Sequence, residues 1–202
     1  MQDIAYASLL RSTRQSLHAR IATVLEERFP ATAATEPEVL AHHYTEAGFR
    51  EQAVNYWKLA GQRAVERSAN SEAVQHLTKG LELLVTLPET PARTLQELDL
   101  QLVLGPALMA TKGIATPEVE QLYARARVLC AQVGETPQVF LTLRSLWQFY
   151  YTRGALPTAR ELGEQILSLA QREASPTPLL EAYDALGSTL FYLGSYRSLI
   201  AR

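Results

Sequence analysis

Leu143-Arg144-Ser145-Leu146-Trp147-Gln148-Phe149-Tyr150-Tyr151-Thr152-Arg153-Gly154, followed by Ala159, is the stretch whose reading decides the fold. Leu143, Leu146 and Tyr150 recur three and four residues apart, which is one face of a helix. Gly154 supplies the residue that most readily takes the left-handed turn ending a helix. Forty residues on, the pattern returns as Tyr183, Leu186, Gly187, Leu190 and Gly194, followed by Tyr196. Gly113, Gly154 and Gly194 lie 41 and 40 residues apart, and Pro117–Pro157 and Leu122–Leu162 are each separated by 40. A helix-turn unit repeated at a fixed period encodes a stack of helical hairpins, because one hairpin cannot bury its own apolar face.

Working outward, Thr116-Pro117-Glu118 opens a helix carrying Val119, Leu122, Ala126, Leu129 and Val133 and closing at Gly134, and Thr136-Pro137 opens the next. Upstream, Thr94-Leu95-Gln96-Glu97 reads as a capping box for a helix with Leu98, Leu102, Leu104 and Leu108. Pro106 is expected to kink that helix or shift its start. Before the break at Pro88–Pro91 come three helices. One runs from about 37 to 47 and stops at Gly48, a second begins near Arg50, and a third follows Asn70-Ser71. Ala53, Ala60 and Ala73 are placed where neighbouring helices approach closely. Thr35-Glu36-Pro37-Glu38 reads as a second capping box, closing a small-residue linker from Pro30. Ile4 to Phe29 reads as a long N-terminal helix whose apolar stripe is Leu10, Leu17, Ile21, Val24 and Leu25.

The expected fold is therefore all-α: a right-handed α-solenoid of helical hairpins preceded by a long N-terminal helix. Its expected divisions are 1–30, the linker helix; 37–87, the first repeat-like helices; and 94–202, two complete hairpins and a truncated third. Both ends read as cut from something longer.

With 202 residues, 47% hydrophobic and 20% charged, and a net charge of -2, the chain has the composition of a folded protein. That charge balance disfavours a general nucleic-acid binder. Cys130 is the single cysteine, so no intramolecular disulfide is available and a cytoplasmic setting is expected. The start shows no basic region leading into an apolar run, and the longest uncharged apolar-rich run, Leu100 to Thr111, falls short of the roughly 20 residues a membrane span needs.

These residues resemble tetratricopeptide repeats. Tyr183, Leu186, Gly187, Leu190, Gly194 and Tyr196 fit that pattern. So do Leu146, Tyr150, Gly154 and Ala159, although Trp147 stands where a small residue is usual. Tyr44, Gly48, Ala53, Trp57 and Ala60 fit a further copy, overlapped by Trp57, Ala60, Gly61, Ala64 and Ala73. The 40-residue spacing departs from the family's usual ~34. A narrower resemblance covers the N-terminal half: Tyr6–Leu10, Arg14–Ala22 and Leu40-Ala41-His42-His43-Tyr44 with Ala47-Gly48. This is similar to the segment after the nucleotide-binding module of STAND-type signalling ATPases, most of all in bacterial multidomain proteins that pair it with a class III adenylate/guanylate cyclase and a repeat tail. The resemblance implies that 1–30 joins a missing ATPase helical domain to the repeats, and that the repeats act as a sensor or partner-binding arm.

No chemistry-bearing constellation accompanies this. GxxxxGK[ST] and HExxH are absent, His42 and His43 point about 100° apart on a helix, and Cys130 lies on an apolar stripe with Leu129 and Val133. No catalytic, cofactor-binding or metal-binding residue is expected, and no cofactor. The expected partner is a protein or peptide held in the groove that a tetratricopeptide superhelix turns inward, lined by Arg144, Gln148, Tyr151, Asp184, Ser188 and Phe191. Tyr150 is expected in the core, and Phe149 and Tyr151 either in the groove or against a further repeat. Self-association through the open C-terminal repeat is a further expectation. The alternative is a fragment of a DNA-binding transcriptional regulator using Arg11, Arg14 and Arg20 of its N-terminal helix.

Overall fold

The computed structural model describes residues 11–133, 137–173 and 176–200. Ten helices follow one another there: α1 (Arg11–Arg28), α2 (Pro30–Thr35), α3 (Pro37–Ala47), α4 (Arg50–Glu66), α5 (Asn70–Val85), α6 (Pro91–Lys112), α7 (Pro117–Val133), α8 (Pro137–Thr152), α9 (Leu156–Glu173) and α10 (Pro176–Ile200). The described residues contain no strand, and the protein is all-α as its sequence predicts.

Three of the chain reversals share one hydrogen-bonded design. Gly48, Ser68 and Gly154 adopt left-handed φ values of 84°, 59° and 75°. The N–H of the following residue reaches back to the outgoing helix: Phe49 to the Tyr44 carbonyl at 2.9 Å, Ala69 to Ala64 at 2.8 Å, Ala155 to Tyr150 at 2.9 Å. The carbonyl of that same residue then accepts from the incoming helix, from Ala53 at 2.9 Å and from Ala73 and Ala159 at 3.0 Å. One residue thus satisfies an orphan carbonyl of one helix and starts the next. All three alanines are fully buried, which lets the paired helices close on each other. Ser68 takes the left-handed position at a cost of about 1 kcal/mol that glycine avoids.

The helices form two compact units. The first runs from Arg11 to Arg93 and takes in Pro106–Thr111. Its core joins Leu40, Ala41 and Tyr44 of α3 to Ala53, Trp57 and Ala60 of α4, with Ala22 and Ala33 beside them. The Trp57 indole N–H donates to Thr45 Oγ1 at 3.0 Å, so the buried donor is satisfied. On the other side of α4, Gly61 lies so near Leu77 of α5 that a Cβ would collide with that side chain.

Two expectations for this unit are corrected. The N-terminal stripe does not face the core: Leu17 is 44% exposed and Ile21 and Val24 are also exposed, while His18 and Ala22 are the buried residues of α1. Leu25 packs partly against the core, and Leu10 lies outside the described residues. The linker after Pro30 is itself a short helix, α2, and the capping box at Thr35 does not form. Thr35 Oγ1 donates back to the Ala31 carbonyl at 2.9 Å, closing α2, and Glu36 precedes α3 without a side-chain cap. Pro37 at the first position of α3 carries that start alone.

The second unit comprises Thr94–Gly105 and the chain from Lys112 onward. Here α8 packs on α7, α9 and α10, and α9 on α10. Phe149 is fully buried and stacks on Tyr123 of α7, centroids 4.2 Å apart. Tyr123 in turn abuts α6 at Gly105, where a Cβ would come 2.6 Å from the phenol oxygen. Phe149 therefore lies in the core, while Tyr150 is half-buried at its edge. The Thr94 capping box is not used as a cap either. α6 begins earlier, at Pro91, with Thr90 Oγ1 accepting from the Arg93 N–H at 3.1 Å. Glu97, freed from capping, is buried and takes two hydrogen bonds from Arg125 of α7, at 2.7 and 3.0 Å. Pro106 is carried inside α6 without breaking it.

The largest correction concerns the last glycine of the repeat. Gly194 is not a turn: α10 runs from Pro176 to Ile200 through both Gly187 and Gly194. Tyr183 and Leu190 of the repeated pattern are 58% and 46% exposed. The side of α10 that is buried carries Ala182, Ala185 and Thr189.

These contacts set the expected stability of three substitutions. Gly187→Ala fills open space on a helix, and the gain of roughly 1 kcal/mol should raise Tm by about 2–4 °C. Gly61→Ala should lower it, with overpacking against Leu77 costing about 1–3 kcal/mol. Thermal melts followed by far-UV circular dichroism separate the two, and a neutral Gly61→Ala would mean that α4 and α5 are not in close contact. Arg125→Met leaves the buried Glu97 carboxylate without its guanidinium and should cost on the order of 2–3 kcal/mol in urea denaturation. The double change Arg125→Met with Glu97→Leu should recover most of that loss.

Candidate functional site

On α8, residues 144, 148 and 151 fall on one side at helical spacing, and on α10 residues 184, 188 and 191 do the same. The packing of α8 on α10 brings part of this set together. The Arg144 guanidinium lies 3.8 Å from Asp184 Oδ2 and 3.8 Å from Glu181 Oε2, both on α10. It also sits 4.5 Å above the Trp147 ring. Trp147 is stacked on Tyr151 at 4.9 Å, Tyr151 meets the edge of Tyr192 at 5.8 Å, and Tyr192 meets Phe191 at 5.4 Å. The outcome is a continuous row, arginine then four aromatic rings, with two carboxylates alongside.

Anchoring comes from beneath. Trp147 is buried, and its indole N–H donates to Thr189 Oγ1 at 2.9 Å. Thr189 is itself fully buried and donates to the Ala185 carbonyl at 2.8 Å. Trp147 therefore stands at a position where a small residue is usual because it spans to α10. Its face then carries Arg144 and Tyr151 to the surface. The Tyr151 phenol is pushed above its ordinary value, first by partial desolvation, then by Tyr192 and by the Asp184 charge. That places a carboxylate and two aromatic rings within mutual influence.

Of the six groove residues read from the sequence, Arg144 and Asp184 are directly joined, Tyr151 connects through Trp147, and Phe191 connects through Tyr192. Gln148 is turned along its own helix, donating to Thr152 Oγ1 at 3.1 Å. Ser188 is half-buried one turn beyond Asp184. Sequence reasoning missed Glu181, Tyr192 and the anchoring role of Trp147. The spacing Glu181–Asp184 on one helix, opposite Arg144, was the available signal for the first.

Elsewhere, Cys130 is buried, and burial pushes its thiol up to about 11, so it behaves as packing rather than as a nucleophile. In the first unit a groove of about 740 Å³ is lined by Arg11, Arg14 and Arg50, but also by Glu46 and Glu51, and Arg20 does not reach it. At helical spacing Arg20 falls on the opposite side of α1 from Arg11. Glu26 of α1 accepts from both Tyr44 and Tyr56, the latter at 2.6 Å, and the two phenol rings stack at 5.5 Å. This ties α1 to α3 and α4; burial, with the Glu26 hydrogen bond next, pushes Tyr56 up to about 12. His18, His42 and His43 also gather, with ring centroids 4.9 to 5.7 Å apart. Among the described residues no group of three or more histidine, cysteine or acidic side chains is arranged to hold a metal ion, and no helix is long and apolar enough to cross a membrane.

No family model matches the chain. It is 27% identical over 199 residues to an uncharacterized protein of Rhizobium meliloti (strain 1021), an alignment that covers 98% of this chain but 19% of that protein. The chain thus spans about a fifth of the length of the curated relative it matches. Among solved structures it is similar to BtubC (BKLC) from P. vanneervenii, with a TM-score of 0.59, 13% identity, and coverage of 96% of this chain and 88% of that one. At that identity the likeness is one of fold alone.

Proposed function

We propose that this chain is a tetratricopeptide-like, right-handed α-solenoid segment that works by protein–protein recognition, its partner engaging the Arg144–Tyr192 row. The observation that carries the reading is that row. Aromatic rings fixed from below by a buried Trp147–Thr189 hydrogen bond present their faces and edges at the surface, in the form that interface anchors take. Rigid aromatic anchors lose little side-chain entropy on binding. Asp184 and Glu181 are each more than two-fifths exposed and lie at a loose 3.8 Å from Arg144, so both keep acceptor capacity for a partner's donors. A peptide or helix bearing arginine or lysine next to apolar side chains suits these groups, through carboxylate contacts and cation–π contact with Tyr151 and Tyr192.

The repeated turn at Gly48, Ser68 and Gly154, with its buried alanine five residues on, supports the repeat architecture. The much longer relative supports a segment of a multidomain protein. In this reading the segment is the sensor or partner-binding arm of a STAND-type ATPase, of the kind joined to a class III cyclase, and works in the cytoplasm. Any nucleotide chemistry belongs to other domains of such a protein.

A random-peptide display selection on the purified chain tests the recognition surface. Enriched peptides should carry basic and apolar residues. They should lose at least tenfold in affinity, by fluorescence anisotropy, on Tyr151→Ala or Asp184→Asn, with melting temperatures close to that of the unmodified chain. Enriched peptides whose binding ignores both substitutions would remove the row as the docking site.

A further inference from the structure

α1 is fastened to α3 at two points. Near its C-terminal end, Glu26 takes the phenols of Tyr44 and Tyr56. Two turns earlier, His18 of α1 meets His43 of α3, Nδ1 to Nδ1 at 2.8 Å. His18 is buried, His43 half-buried, and His42 lies exposed beside both. This pair is independent of the recognition surface on α8 and α10.

The proton arithmetic of an Nδ1–Nδ1 contact is restrictive. A hydrogen bond there needs one nitrogen protonated and the other bare. Two neutral rings meet the condition when one is the Nδ1–H tautomer and the other the Nε2–H tautomer. A first added proton goes to the Nε2 of the donor ring and leaves the bond in place. A second proton finds only the bare Nδ1, and two N–H groups on two cations then face each other at hydrogen-bond distance. The charges bearing on the rings make the same distinction: on α3, Glu46 favours a proton on His18 and His42 opposes it, and on α1, Arg14 opposes it as well. His43 feels His18 and His42, both opposing. α2, which also packs on α1 and α3, carries no ionisable side chain. Among these influences Glu46 is the one that favours the added charge.

We propose that the His18–His43 pair is a pH-sensitive latch on α1, closed with no proton or one proton added and opened by the second. Because the Glu26 clamp holds the other end, opening lifts the first turns of α1 from α3 and leaves α3–α5 folded. Burial is the largest influence on both rings and holds each below the ordinary imidazole value of 6.5. Both rings are thus harder to protonate in the folded chain than in the unfolded one. The stability the latch contributes is complete above about pH 6.5, where neither state takes up protons, and is lost as pH falls from there through the folded values.

Amide hydrogen exchange on the full chain, read by NMR as protection factors from pH 7.5 to 5, tests this. Protection of amides in the Arg11–Ala22 part of α1 should fall by about tenfold or more across that range. Protection in α4 and α5 should hold. His43→Gln, which keeps a hydrogen-bonding partner for His18 but cannot titrate, should flatten the α1 profile. His42→Gln removes an opposing charge and should leave the transition in place at a higher pH. A flat profile in the unmodified chain overturns the latch. So does a transition that persists unchanged in His43→Gln or vanishes in His42→Gln. The unmodified profile decides the matter even where a variant folds poorly.

Discussion

The structure depends on a hydrogen bond that crosses three of its helix reversals. At Gly48, Ser68 and Gly154 a single left-handed residue lets the next N–H cap the helix just finished, while the carbonyl of that same residue accepts from the helix just begun. No slack remains between the helices, so their axes must come close within one turn. That closeness is tolerable only because the residue four beyond the shared one is Ala53, Ala73 or Ala159, each without exposed surface. The turn and the alanine are one device. A larger side chain at the alanine would force the helices apart and pull on the very bonds that define the turn.

That coupling explains which glycines were legible in the sequence. Gly48 and Gly154 each have alanine five residues on, and both are turns. Gly194 has Leu199 at the equivalent place, and the helix runs through it. The 40-residue period counted glycines, and Gly113 is left-handed too, but with Glu118 five residues on; the tight reversal is a left-handed residue followed by a buried alanine. By that criterion Ser68, which no glycine count would find, belongs with the turns. The helices themselves, their order and most of their starts were readable from periodicity and proline placement. The capping boxes were not, because Thr35 and Glu97 found better partners in Ala31 and Arg125 than in their own helix starts.

Contacts between residues far apart in sequence were the other blind spot. The stripe Leu17, Ile21 and Val24 looks like a core face, yet α1 buries His18 and Ala22 instead. The polar groups decide this. His18 and Glu26 lie eight residues apart, on one face of α1, and reach His43, Tyr44 and Tyr56 across the packing. Turning the leucine stripe inward would bury roughly as much apolar surface, but it would strand those partners on α3 and α4. A lost hydrogen bond to a charged group in a partly buried site costs more than the difference between two apolar faces of similar size.

The same competition shapes α8. Its sequence is aromatic enough to fill a core and still have rings to spare, and periodicity alone cannot say which ring goes where. Phe149 is assigned inward by Tyr123, whose ring offers it a stacked partner at 4.2 Å. Trp147 is assigned to the α10 contact by Thr189, which offers a buried acceptor for the indole N–H. Once those two are fixed, helical geometry leaves Tyr151 one turn beyond Trp147 and on its face, at the surface. The exposed row is thus a consequence of how the buried ones are satisfied, and Arg144 lies over the tryptophan ring. A surface whose rings are set by core contacts is rigid before any partner arrives, which is what recognition through few, strong anchors requires.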